Sequence, residues 1–156
     1  MVAVPTTRVQ QHQRHAAALF VGLALTVIAA LAPIVDIATI DTIGDHVRAA
    51  YPQWSPALVA EDRNAIAIYL VATNIIGIIG WLATIGAVLA RRRWARGLAT
   101  TLFAFGLLYS LLNLGFGGAA YHVVVPTDHG LLTLLPTLAG LVALVSLWRG
   151  RTNTSR

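Results

Sequence analysis

Residues 66–114 read IAIYLVATNIIGIIGWLATIGAVLARRRWARGLATTLFAFGLLYSLLNL, and this stretch decides the fold. Two long apolar runs flank a turn with four arginines, Arg91, Arg92, Arg93 and Arg96. No Asp, Glu or Arg occurs from Asn64 to Ala90, and none from Gly97 to Thr127. A bilayer core about 30 Å thick needs roughly 20 apolar residues at about 1.5 Å rise, and each run is long enough. Backbone groups in lipid must bond within their own segment, which selects helices here, because no period-2 alternation suggests barrel strands.

Outward from that pair, two further uncharged runs appear, His15 to Val35 and His129 to Trp148. The chain of 156 residues is 57% hydrophobic and 11% charged, with mean hydropathy +0.73. Soluble domains average about 45–50% apolar and about 25% charged, so the excess requires a bilayer. The expectation is an all-α integral membrane four-helix bundle in one domain, with spans near 16–35, 66–90, 97–118 and 129–148. Ala30-Leu31-Ala32 resembles a leader cleavage site, but Pro33 follows directly and the apolar run is long, so span one is expected to be retained.

All 11 basic residues are arginine, and they are unevenly placed. Arg8, Arg14, Arg91, Arg92, Arg93, Arg96, Arg149, Arg151 and Arg156 fall on one side of the spans. Arg48 and Arg63 fall on the other, together with all six acids. The arginine-rich side is expected to be cytoplasmic, with both termini there. The same Arg91–Arg96 turn suits anionic lipid headgroups. The arginines flank spans and build no folded basic face, so nucleic acid is not an expected partner.

The loop 36–64 is the one substantial segment outside the spans. Ile37, Ile40, Ile43 and Val47 recur at helical spacing, which predicts a short amphipathic helix lying on the membrane surface. Tyr51 and Trp54, beside Pro52 and Pro56, are expected to anchor at headgroup level. Ser55-Pro56 is an N-cap and N1 pair, from which a helix can run into span two. Asp128, just before span four, is expected to cap that helix.

With no cysteine, disulfide exchange, thiolate metal sites and iron–sulfur clusters are excluded. No ionisable side chain is expected deep in a span, which argues against proton-coupled pumps, intramembrane metalloproteases and b-type haem. No cofactor is expected. His46, His122 and His129 share the acidic side and are the weak metal candidates; His12 and His15 belong to the N-terminal arm.

The main polar cluster lies on spans two and three. Asn74, Gly77 and Trp81 share one helical face, and Gly106, Tyr109, Asn113 and Gly117 share another, with Ser110 alongside. One reading is helix–helix glue, with glycines permitting close approach and asparagines bonding across the seam. The other is a pocket, open outward, in which Asn74, Trp81, Tyr109 and Asn113 hold an amphiphile. Span one carries a stripe of small residues, Ala18, Gly22, Thr26 and Ala30, suited to a tightly packed neighbour inside the bundle or in a dimer. Pro136, near Thr133, Thr137 and Gly140, is expected to kink span four.

In layout, YPQWSPALVAEDRNAIAIY, GWLATIGAVLARRRWAR and ATTLFAFGLLYSLLNL, within 51–114, resemble small four-span membrane proteins of high-GC actinobacteria. That resemblance implies a multi-pass protein of the cell membrane and brings no activity with it. The expected role is non-catalytic association with a second copy or another membrane protein. Binding or carrying a lipid-like molecule is the alternative. A membrane enzyme ranks third, because no acid–base or nucleophile set stands at catalytic spacing.

Overall fold

The computed structural model describes residues 6–149, with side chains from Ala17 onward. The side chains of Arg8, His12, Arg14 and His15, and all of Arg151 and Arg156, lie outside the described residues. Five helices follow one another: α1 (Thr6–Thr39), α2 (Thr42–Ala50), α3 (Pro56–Leu89), α4 (Ala95–Gly115) and α5 (Thr127–Arg149). No strand occurs among the described residues. Four of the helices are long and apolar enough to cross a membrane. Ile68, Ile76, Phe105 and Val142 are each more than 60% exposed. Apolar exposure all round a bundle is stable in lipid and not in water.

The helices form a ring. α1 packs on both α3 and α5, and α4 packs on α5, while α3 and α4 touch only sparsely. The small stripe of α1 explains the close sides of this ring. A Cβ placed on Gly22 would lie 2.2 Å from Trp81 Cη2. One on Gly77 would lie 3.1 Å from the Thr26 methyl. Thr26 and Ala30 are buried. The stripe is therefore an internal seam that receives α3, and an oligomer would need a different face.

The arginine end of the bundle holds the α3–α4 turn. Arg91 takes a left-handed conformation, φ 51°, and its N–H reaches Val88 O while that of Arg92 reaches Ala87 O. These two bonds close α3 in a Schellman motif with arginine where glycine is usual. Arg91, Arg92, Arg93 and Trp94 are exposed, and Arg96 is half-buried.

The opposite, acidic end departs from expectation in four ways. First, α1 continues to Thr39 and α3 begins at Pro56, so the connection is shorter than 36–64. Ser55 does cap α3, its hydroxyl accepting from Leu58 N–H at 3.4 Å. Second, α2 does not turn its apolar face to lipid. Ile43 and Val47 are fully buried with Val59, Ile66, Ala67, Leu70 and Val125; Ile40 falls between helices and is 71% exposed. Periodicity shows that a face is covered, and here protein covers it before lipid can. Third, Tyr51 and Trp54 stack on one another with centroids 3.8 Å apart and pack against this cluster, so their rings serve the protein interior as much as any headgroup layer. Fourth, α4 ends at Gly115, which puts Gly117 in the loop, where a Cβ would meet His122 O at 2.3 Å.

Asp128 lies inside the first turn of α5. Its oxygens meet the Thr42 hydroxyl at 3.5 Å and His129 Nδ1 at 3.3 Å, so it acts on the helix dipole and on its neighbours. Asp36 and Asp41 tie α2 down. Asp36, buried, accepts from Thr42 N–H at 3.1 Å, the Thr42 hydroxyl at 2.5 Å and Ile43 N–H at 3.1 Å. Asp41, at φ 54°, caps α2 through Gly44 N–H and pairs with Arg48 and Arg63.

Candidate functional site

The sparse α3–α4 side leaves room inside the ring. A cavity of about 320 Å³ lies at mid-depth, walled by all four long helices. Along α3 it runs from Thr73 to Thr84, twelve residues and about 16 Å at helical rise. Its lining is mostly apolar, and no charged side chain contributes to it.

Two polar rungs close the cavity toward the acidic end, where α3 and α4 run antiparallel. The Tyr69 hydroxyl donates to Asn113 Oδ1 at 3.0 Å. One turn deeper, the hydroxyls of Thr73 and Tyr109 are 2.7 Å apart. The Thr73 hydroxyl also reaches Tyr69 O at 2.7 Å and Leu70 O at 3.1 Å; with its single proton on either carbonyl, Tyr109 is the donor to Thr73. The Tyr69 and Tyr109 rings lie 6.1 Å apart, between the rungs. Beyond them, the α2 cluster and the Tyr51, Trp54 and Tyr121 rings cover the acidic end. Tyr121 donates to Asp62; burial first, and then that carboxylate, push its phenol above the ordinary value.

At the arginine end the cavity is closed by Leu19, Ile85 and Ala143, all buried. The mouth is lateral. Ile76 and Phe105 line the cavity and are nonetheless 68% and 65% exposed, which puts the opening between α3 and α4, facing lipid. The outward opening expected from the sequence is not found.

Of the four residues expected to bind, Asn74, Trp81 and Tyr109 line this cavity. Asn113 does not. It sits opposite Tyr69, one turn nearer the acidic end than Asn74, and its Nδ2 is buried without a hydrogen-bond partner. The asparagines also do not bond to each other: Asn74 Nδ2 donates to Leu70 O in its own helix at 2.8 Å. Asn113 does bond across the seam as expected, with Tyr69 as its partner, whereas Asn74 does not, and the second cross-helix bond is made by Tyr109 and Thr73.

Trp81 accounts for its unusual depth. Its ring edge reaches Gly22 on α1 and approaches Gly140 on α5, where a Cβ would lie 3.7 Å from Cη2. The indole thus crosses the interior and forms one wall of the cavity. Gly106, also in the lining, leaves space, since a Cβ there would meet only the Thr137 hydroxyl at 3.8 Å.

On the α4–α5 side, Ser110 is fully buried and bonds to Gly106 O at 2.9 Å, Thr133 O at 3.0 Å and the Thr137 hydroxyl at 2.8 Å. One α5 carbonyl beside Pro136, that of Thr133, therefore finds a partner across the interface as well as in Thr137.

The three candidate metal histidines are not brought together. His46 Nε2 bonds to Val123 O at 2.8 Å and its ring stacks on Tyr121. His122 is exposed, and His129 is buried at the start of α5. Among the described residues no three His, Asp or Glu side chains converge as a metal site.

Sequence reasoning missed Tyr69 and Thr73. The available signal was their i, i+4 spacing on α3, matched by Tyr109 and Asn113 on α4. No family model matches the chain, and neither curated proteins nor solved structures supply a match.

Proposed function

We propose that this chain is a membrane-embedded binding or carrier protein for an elongated, lipid-like small molecule, seated in the cytoplasmic membrane with both termini cytoplasmic. The observation that carries the reading is the apolar cavity at mid-depth with a mouth toward lipid. Its volume falls at the lower end of the roughly 300–1,000 Å³ of small-molecule sites, and its apolar wall with few polar groups is the usual pattern. A lateral mouth admits a molecule already dissolved in the bilayer, which need not cross water to enter.

Gly106→Leu would fill this cavity from a position that tolerates a Cβ. Native mass spectrometry of protein released gently from its own membranes should find a reproducible copurified lipid or small molecule. The variant should lose that molecule while keeping its thermal transition. A bare chain, a bare oligomer or a protein partner in place of a small molecule would retire the reading.

The orientation rests on arginine asymmetry. Five of the seven arginines with described side chains flank the α3–α4 turn or end α5, while Arg48 and Arg63 share the acidic end with all six acids. A reporter fused to the C-terminus should be active in the cytoplasm; activity on the far side would reverse the assignment. The exposed Arg91, Arg92 and Arg93 would meet anionic headgroups at about 1 kcal/mol each, with Arg96 beside them.

A further inference from the structure

We infer that the acidic-end tip of the cavity recognises a neutral hydrogen-bond donor, a hydroxyl or an amide N–H, on an otherwise apolar molecule. The inference rests on the lipid-binding reading above and adds a chemical requirement to it.

Asn74 is 5% exposed and lines the cavity. Its two amide atoms are distinguished by their surroundings. The one that meets Leu70 O must be the nitrogen, because a carbonyl only accepts. The other is therefore Oδ1, an acceptor that makes no hydrogen bond among the described residues. It is not one of the sealed atoms without a hydrogen bond, which are Asn113 Nδ2 and His129 Nδ1. It therefore keeps accessible surface, and the cavity is the open space that Asn74 lines. An amide oxygen left unpaired in the bilayer interior is costly, and lipid tails offer no donor.

Tyr109 adds a second acceptor at the same tip when Thr73 gives its proton to Tyr69 O, because the Tyr109 proton then goes to Thr73 and its oxygen keeps lone pairs. The other hydroxyls of the wall have partners too. Thr26 donates to Gly22 O, Thr84 to Gly80 O and Thr133 to Gly130 O, and Thr137 is engaged with the Ser110 hydroxyl at 2.8 Å and, at 3.4 Å, with Gly106 O and Thr133 O. The tip thus offers acceptors to whatever enters.

The charge of the ligand follows from what is missing from the wall. No arginine or histidine lines it to hold a carboxylate, and two acceptors would repel one. No Asp or Glu lines it to hold an ammonium group, and stripping an ion of water at this depth is expensive. A neutral donor meets neither penalty. The indole N–H of Trp81 makes no hydrogen bond among the described residues either, but it lies about two turns further in, roughly 10 Å along α3, beside the tail of a molecule whose head is at Asn74.

The test uses the full chain in lipid nanodiscs, with Trp54, Trp94 and Trp148 changed to Phe so that Trp81 alone reports. Bromododecanol and bromododecane are titrated in, their bromine quenching a nearby indole. Bromododecanol should quench saturably with an apparent Kd roughly three- to tenfold below that of bromododecane, the range of one net hydrogen bond. Asn74→Leu should remove most of that difference and leave bromododecane binding in place. If Asn74→Leu does not fold, Tyr109→Phe removes the second acceptor and should reduce the preference. Equal constants for the two probes, or a preference that survives both substitutions, would overturn the inference and leave the lipid-binding reading standing. Absence of saturable quenching by either probe would remove both.

Discussion

Gly22→Ala is expected to destabilise the bundle by about 3 kcal/mol, although the same change at Gly86 or Gly97 should hold or raise stability. Alanine is the better helix former by roughly 0.5–1 kcal/mol, so intrinsic propensity favours the substitution. Packing reverses the sign, because the new Cβ would lie 2.2 Å from Trp81 Cη2 and 2.3 Å from Cζ2. A rigid indole wedged toward α1 and α5 cannot bend away at its tip. Gly86 and Gly97 are the controls: a Cβ at either meets nothing within 4 Å. Thermal unfolding in mild detergent, followed by helical circular dichroism, should therefore fall for Gly22→Ala and hold or rise for Gly86→Ala and Gly97→Ala. Combining Gly22→Ala with Trp81→Leu should recover part of the loss, giving a coupling energy that neither single change explains. If Gly22→Ala unfolds at the same temperature as Gly86→Ala, the α1–α3 seam is not packed as described.

Asp36→Ala is the second large effect, expected at about 3 kcal/mol and concentrated at the acidic end. Hydrogen bonds to an ionised acceptor are worth about 1.5–3 kcal/mol each, and three converge on this carboxylate without adding in full. Its removal strands two N–H groups at the start of α2 and frees the helix whose Ile43 and Val47 are buried on α3. Amide hydrogen exchange should show residues 42–50 losing protection while the middles of α3 and α5 keep theirs. Asp36→Asn, which keeps an acceptor, should lose less. Unchanged protection across 42–50 would mean that apolar packing alone holds α2, and the carboxylate would then have no structural part.

Much of this architecture is legible in the sequence, for identifiable reasons. A span announces itself by length, since lipid tolerates no broken backbone ladder over its thickness. The Ser55-Pro56 start of α3 is legible because cap chemistry is local. The arginine turn is legible because charge cannot enter the core. Glycine and alanine at every fourth position of α1 announce a tight seam, although not its partner. By contrast, the amphipathic stretch 37–50 misled on its surroundings. Alternation of apolar and polar residues reports that one face is hidden, and both lipid and protein hide it equally well. Asn74 and Asn113 misled in a related way: counted depth put them level, but the register of α3 against α4 sets Asn113 opposite Tyr69.

By itself, then, the sequence determined the number of membrane-crossing helices, the two ends that meet at the α3–α4 turn and the asymmetric placing of charge. All three depend on interactions within a few residues or with the solvent phase. Only the tertiary structure decided that Trp81 crosses to Gly22, that tyrosines bridge α3 and α4, and that α2 folds onto protein. It also decided that a cavity remains where those two helices fail to meet. These depend on rotation and register between helices, set by side-chain volumes far apart in the chain, and no local pattern encodes an interhelical distance.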